Sequence, residues 1–306
     1  MEQTANYTIL LYYKYVHIKN PEEEKLKQKA ICEALGLKGR IIVAKEGING
    51  TLEGTTEDTE KYIAWMENTK CFKNIDWKKS DGSGECFPKL SVKVRTEIVS
   101  LHLVDDDWDI DPQKLTGKRL KAEELDKMYE KGEEFYIVDM RNDYELEVGK
   151  FEGTVFPGLK NFRDLKERVK EIEHLKDKKV VTVCTGGVRC EKASGYLLSQ
   201  GFTDVAQLHN GMVTYMKNFP NKAFKGSLYV FDGRKTMTYD DPEKHEIIGK
   251  CHYCTGATEN YFDCTYPFCH QQYLGCQSCI DENAGYCKDE CKQKDMDYKA
   301  KNATVV

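Results

Sequence analysis

Apolar side chains recur at every second residue in some blocks of the chain and at every third or fourth in others. Residues 7–19, YTILLYYKYVHIK, are rich in aromatic and β-branched residues, which predicts a strand. Residues 22–36 change to helical spacing, with Ile31, Leu35 and the alanines on the expected inner face. The stretch RIIVAKEGINGTLEG (40–54) reads as two short strands around a glycine-containing turn. Thr56–Asn68 reads as a second helix opened by a threonine cap. The alternating LSVKVRTEIV (90–99) then reads as a closing strand.

The order β-α-β-β-α-β predicts a ferredoxin-like α+β sandwich over residues 1–104. HLVDDDWDIDPQ (102–113) is acidic and without period, as expected of a linker. Helices and short apolar strands alternate after it: helix Lys121–Lys131, strand Phe135–Met140, helix near Phe162–His174, strand Val180–Cys184, helix Glu191–Gln200 and strand near Val205–Leu208. That alternation predicts an α/β domain over 118–222, its parallel sheet covered on both faces. Residues 223–306 hold a connecting segment (221–250 by pattern), a cysteine-rich region and a charged tail, Lys292–Val306, expected to fray.

Composition narrows the class. The chain has 306 residues, 40% hydrophobic and 32% charged, the balance of a globular protein with room for two or three domains. No apolar run approaches the roughly 18 residues that span a bilayer, and the N-terminus lacks a secretory signal, so no membrane contact and a cytoplasmic location are expected. Net charge is −5, which excludes a global positive field; nucleic-acid binding would need a local patch. The most basic run, Lys160–Lys179, interleaves acids with its lysines and arginines and reads as a solvated helix with i,i+4 charge pairs. Lys89, Lys93 and Arg95 alternate along the last strand and could present phosphate-binding charge. KEGING (45–50) reads as a hairpin, with a role in holding substrate or closing a site as the alternative. No stable protein partner is evident.

The chemistry sits in the cysteines, thirteen in all. In a reducing compartment a dense cluster points to metal rather than disulfides. The spacing is Cys251-x2-Cys254, Cys264-x4-Cys269, Cys276-x2-Cys279 and Cys287-x3-Cys291, four close pairs that supply enough thiolates for two tetrahedral structural zinc sites. Pairing may be sequential or crossed, His252 or His270 could replace a ligand, and an iron–sulfur cluster is the lesser alternative. The aromatic residues between the ligands are expected to pack a small core, with a base-stacking surface as the sharper reading.

Cys184 and Cys190 stand apart, in VVTVCTGGVRCEKASGYLL (180–198). Cys184 ends a predicted strand, where open α/β sheets collect ligands. Thr185, Gly186 and Gly187 form a loop whose N–H groups can converge on the sulfur, while the helix start and Arg189 add positive potential. All favour the thiolate, the nucleophilic form. Arg189 arrives one residue earlier than in a Cys-x5-Arg phosphatase loop, so the tighter loop suits a smaller anion such as a persulfide sulfur. Cys190, near the first helical turn, could resolve an oxidised Cys184, act as the nucleophile itself, or simply pack.

With IVDMRNDYELEVGKFEG upstream, the loop resembles the rhodanese family: Asp139, Arg141, Glu145, Gly149 and Gly153 match its motif, Lys150 replaces the usual histidine and Asn210-Gly211 the usual Gly-Gly. The resemblance aligns Cys184 with the persulfide-forming cysteine. Taken with YYKYVHI, AKEGINGTL, CTGGVRCEKAS, VFDGR and the cysteine-rich end, in that order, most of the chain resembles the bacterial tRNA uridine(34) hydroxylase family. That resemblance implies a tRNA substrate, molecular oxygen as co-substrate and 5-hydroxyuridine as product at the wobble position. A sulfurtransferase and a non-enzymatic zinc adaptor are the rival readings.

Overall fold

The structure is a computed structural model and describes residues 6–101 and 110–303; most of the expected linker lies outside them. The first layer is a five-stranded sheet of β1 (Tyr7–Tyr15), β2 (Lys38–Ala44), β3 (Gly47–Thr55), β4 (Lys78–Gly82) and β5 (Leu90–Val94), with α1 (Pro21–Ala34) and α2 (Thr56–Asn68) on one face. Strand order is β4-β1-β3-β2-β5. The ferredoxin-like unit is therefore closed by β4, a polar strand (KKSDG) without alternation to betray it. The strand expected to close it is instead β5, a fifth strand running parallel to β2.

Alternation along β1 divides its side chains. Leu10 and Tyr12 enter the core with Ile41, Val43, Leu52, Tyr62 and Met66, while Leu11 and Tyr13 face the next domain. α1 departs from expectation: its buried residues are Glu24, Gln28 and Cys32, Ile31 and Leu35 pack only at the edge, and Ala30 and Ala34 are exposed. A polar network explains this. Gln28 donates to Glu24 at 2.8 Å and accepts from the buried Tyr62 hydroxyl at 2.6 Å.

The second layer is a parallel sheet, β6-β10-β9-β7, from β6 (Lys118–Leu120), β7 (Tyr136–Asp139), β9 (Lys179–Val183) and β10 (Asp204–Leu208). Successive β9 residues serve opposite cores. Val180 packs with α6 (Val188–Ser199), and Val181 and Val183 pack with α3 (Ala122–Glu130) and α7 (Gly211–Asn218). Residues 162–175 form a chain of short turns, including the four-residue α5 (Leu165–Arg168), and not the expected solvated helix. Burial of Phe162, Leu165, Val169, Ile172 and Leu175 fixes these turns on the sheet, and the pairs Arg168–Glu171 and Glu173–Lys176 are i,i+3. The short α4 (Asp143–Leu146) leads into β8 (Gly149–Phe151), which pairs with β11 (Phe224–Gly226) from the connecting segment; β12 (Leu228–Tyr229) and β13 (Thr236–Met237) follow.

The C-terminal layer holds β14 (Tyr261–Asp263), β15 (Gln272–Leu274), α8 (Gln277–Glu282) and α9 (Asp289–Ala303). The tail expected to fray is thus helical to residue 303. Cys291 anchors its first turn, and Asp295 accepts from Tyr286 and Lys299, each at 2.7 Å.

Candidate active site and metal centres

Cys184 follows β9, and the loop after it is fixed from three sides. The amides of Met212 and Val213, opening α7, donate to the carbonyls of Cys184 and Thr185 at 2.9 and 3.1 Å. The Gly187 amide donates to Cys184 Sγ at 3.2 Å. Gly187 takes φ +98°, and a Cβ there would lie 2.9 Å from the Tyr13 hydroxyl, so conformation and space both call for glycine. Burial pushes the Cys184 thiol up. The Cys190 thiol, the Arg189 charge and the amides of Cys190 and Gly187 outweigh it, lowering the thiol to about 6. Burial and the neighbouring Cys184 push Cys190 the other way, well above the ordinary thiol range.

Two features of the site go beyond the sequence reading. Arg189 does not give its charge to the sulfur alone: its guanidinium is bidentate to Glu145, at 2.5 and 2.8 Å, and also donates to Thr185 Oγ1 at 3.2 Å. Glu145 stays ionised because Arg189 and Arg141 more than offset its burial. Secondly, Cys184 is fully buried, as is Cys190. Leu11 packs over Gly186 and Tyr13 over Gly187, so the first domain roofs the loop. Asp139 and Arg141 sit behind the loop as a fully buried bidentate pair, and Arg141 also donates to the carbonyls of Glu145 and Gly149. They brace the turn that aims Glu145 at Arg189.

Sequence reasoning missed the roof and its fastening. Tyr13 donates to Glu191 at 3.2 Å and Tyr15 to the Val188 carbonyl at 3.2 Å. Lys192, fully buried, bridges Glu46 and Glu97 at 2.7 Å each, and Glu46 also accepts from the Ile98 amide. The Lys-Glu pair of KEGING thus contributes its glutamate to docking the two domains. The one legible signal was β1 itself, apolar in both phases, as expected of a strand buried on both faces.

Beside the roof runs a cleft of about 530 Å³ between the two domains. Thr185, Gly186 and Arg189 form part of its floor, and Arg40, Arg95 and Arg163 line it. Lys89 and Lys93 are exposed outside that lining.

The eight C-terminal cysteines gather as two groups, Cys251, Cys254, Cys276 and Cys279, and Cys264, Cys269, Cys287 and Cys291. The pairing is crossed. Sulfur–sulfur distances of 3.7 Å (Cys254–Cys276), 3.6 Å (Cys269–Cys287) and 3.7 Å (Cys287–Cys291) match the roughly 3.8 Å edge of a tetrahedron built on metal–sulfur bonds of about 2.3 Å. Both groups could hold a metal ion. Neither His252 nor His270 belongs to a group; His252 Nε2 instead lies 2.9 Å from the Cys287 carbonyl.

Three family profiles agree with this architecture. The profile of the UPF0176 acylphosphatase-like domain matches residues 7–98, that of the rhodanese-like domain residues 121–218, and that of the rhodanese C-terminal domain residues 225–292. A solved rhodanese-like domain protein from Staphylococcus aureus is 24% identical, covering 32% of this chain and 90% of its own, with a TM-score of 0.28. The tRNA uridine(34) hydroxylase of Bacillus cytotoxicus is 45% identical over 94% of this chain and 88% of its own length. That of Staphylococcus aureus strain COL is 45% identical over 94% and 89%. Identity at that level over nearly the whole chain means that it belongs to the tRNA uridine(34) hydroxylase family.

Proposed function

We propose that this protein hydroxylates C5 of the wobble uridine of tRNA with molecular oxygen, yielding 5-hydroxyuridine, and that Cys184 is its working nucleophile. The observation that carries the reading is near-full-length similarity to enzymes named for that reaction, joined to a loop that lowers the Cys184 thiol. The Gly187 amide and Arg189 hold the sulfur anionic, Thr185 and Gly186 shape the loop, and Glu145, aimed by Asp139 and Arg141, holds Arg189 in place. Addition of the thiolate to C6 of uracil would leave C5 carbanion-like and open to attack by molecular oxygen; an external two-electron donor takes the second oxygen atom to water, and loss of the C5 proton with release of Cys184 from C6 restores the ring. Cys184 is roofed, so Sγ reaches a base only when the Leu11 and Tyr13 side chains yield toward the cleft. Cys190, with its raised thiol, stays protonated and donates to the Cys184 sulfur.

The chain works as three units, 1–104, 118–222 and 223–306, and the two cysteine groups each hold a structural zinc ion. Mass spectrometry of tRNA nucleosides from cells lacking the protein, complemented with Cys184→Ser, tests the reading. The expected result is 5-hydroxyuridine at background. Undiminished product would refute the nucleophile, and strong turnover of thiosulfate with cyanide but no tRNA modification would favour a sulfurtransferase.

A further inference from the structure

The VFDGR segment (230–234) is not explained by the thiol chemistry, and the structure gives it a specific job. Asp232 and Arg234 form a bidentate pair, at 2.8 and 2.7 Å. Arg234 also reaches the first domain, donating to Ser80 Oγ at 3.0 Å and the Asp81 carbonyl at 3.1 Å, while the Gly233 amide donates to the Cys86 carbonyl at 2.8 Å. The segment is thereby riveted across the domain junction. What it presents there is Phe231, a large apolar side chain left 41% exposed.

Phe231 lines the cleft beside the cysteine loop, and the Arg189 guanidinium lies 5.8 Å from its ring centroid. Tyr229 packs T-shaped against the ring at 5.3 Å, and the exposed remainder, held by the partly buried Asp232–Arg234 pair at the edge of the site, offers apolar surface to a flat ligand. The charge around it is cationic although the whole chain carries −5. Arg40 and Arg95 come from the first domain and Arg163 from the second; all three are exposed, and among the described residues none is paired with a carboxylate. Among the described residues the one carboxylate lining the cleft is Glu97, which shares the Lys192 charge with Glu46, each at 2.7 Å. Arg40 shares a face of the sheet with Leu11 and Thr51, with which it is in register, so the phosphate-directed charge and the roof of the cysteine loop stand on one surface.

We propose that this cleft is the seat of one unstacked nucleotide of a single-stranded RNA loop, with Phe231 as the platform on which its base stacks and Arg40, Arg95 and Arg163 as contacts for the flanking phosphates. The inference rests on the tRNA reading above. A cleft of about 530 Å³ takes a single nucleotide and not a duplex. Because the arginines come from both domains, the buried Lys192–Glu46–Glu97 bridge sets the spacing between the phosphates they meet.

The test uses the full-length protein and an unmodified anticodon stem-loop RNA with uridine at the wobble position, against a duplex of equal length. Phe231→Leu should weaken stem-loop binding about tenfold and Phe231→Tyr should restore it. Each of Arg40→Gln, Arg95→Gln and Arg163→Gln should weaken binding and reduce the slope of log affinity against log salt by about 0.7. The duplex should bind weakly and without dependence on Phe231. Thermal stability and the titration of Cys184 should not change in the three arginine variants, which separates RNA contact from a merely structural role, and for Phe231 the recovery of binding in Phe231→Tyr makes that separation. If the wild type ignores the stem-loop, or if the four variants bind with unchanged affinity and slope, the assignment falls. If the wild type makes no 5-hydroxyuridine yet binds RNA with this dependence, the hydroxylase reading fails and the cleft assignment stands.

Discussion

At the scale of single residues, charge is managed in nested pairs, and the pairs decide what each cation can do. Arg141 is spent on Asp139 and much of Arg189 on Glu145, so the Cys184 anion relies on backbone amides and on Cys190 as much as on the arginine. Arg189→Met should therefore raise the Cys184 thiol toward its ordinary value without abolishing its acidity, measured by thiolate absorbance across pH. Arg141→Met leaves Asp139 buried and unpaired and should cost about 3–5 kcal/mol in denaturant unfolding. The Asp-x-Arg spacing, the glycine pair and the arginine were legible in the sequence because each is local. The partners were not: nothing near position 189 says that Glu145, 44 residues earlier, takes both its nitrogens.

At the scale of elements, strands with period-2 or continuous apolar character were readable, and polar or very short ones were not. β9 and β10 fell where their valines placed them, whereas β4 and β6 are polar, brief and recognisable only by their neighbours in the sheet. The turns at 162–175 were misread as one helix because their apolar spacing is helical, and contact with the sheet breaks them up. In the cysteine-rich layer the spacing showed four pairs but could not show their crossing, in which the second pair, carried between β14 and β15, joins the fourth. The two centres differ in shelter. In the first group Cys254 is exposed and Cys276 half-buried, while in the second Cys269 alone is half-buried and the rest are buried. A strong chelator should extract the ion of the Cys251 group first, followed by loss of the α9 helical signal when the second goes. Metal analysis with far-ultraviolet circular dichroism would show two steps, and simultaneous loss would contradict unequal shelter.

At the scale of the whole molecule, the first domain is a roof and half a cleft, not an appendage. Lys192→Met would remove the cation that Glu46 and Glu97 share at the junction, and should lower stability by about 3–5 kcal/mol and expose Cys184 to alkylating reagents. A second fastening joins the connecting segment to the cysteine-rich layer: His245 lies 3.1 Å from Asp240 and 2.9 Å from Glu259. Burial lowers its pKa, but the two carboxylates together raise it above the ordinary histidine value. The bridge is therefore fully formed below about pH 6.5 and is lost as pH rises through the raised folded value. Melting curves should show His245→Gln destabilising more at pH 6 than at pH 9, and equal effects would contradict the bridge. The claim on which the account turns is that this assembly keeps Cys184 as a thiolate. Its most direct measurement is the pH titration of thiolate ultraviolet absorbance in the metal-loaded protein, taken as the difference from Cys184→Ser. The account predicts a single-thiol transition centred near pH 6; a transition at the ordinary thiol value, or none lost with Cys184, would contradict it.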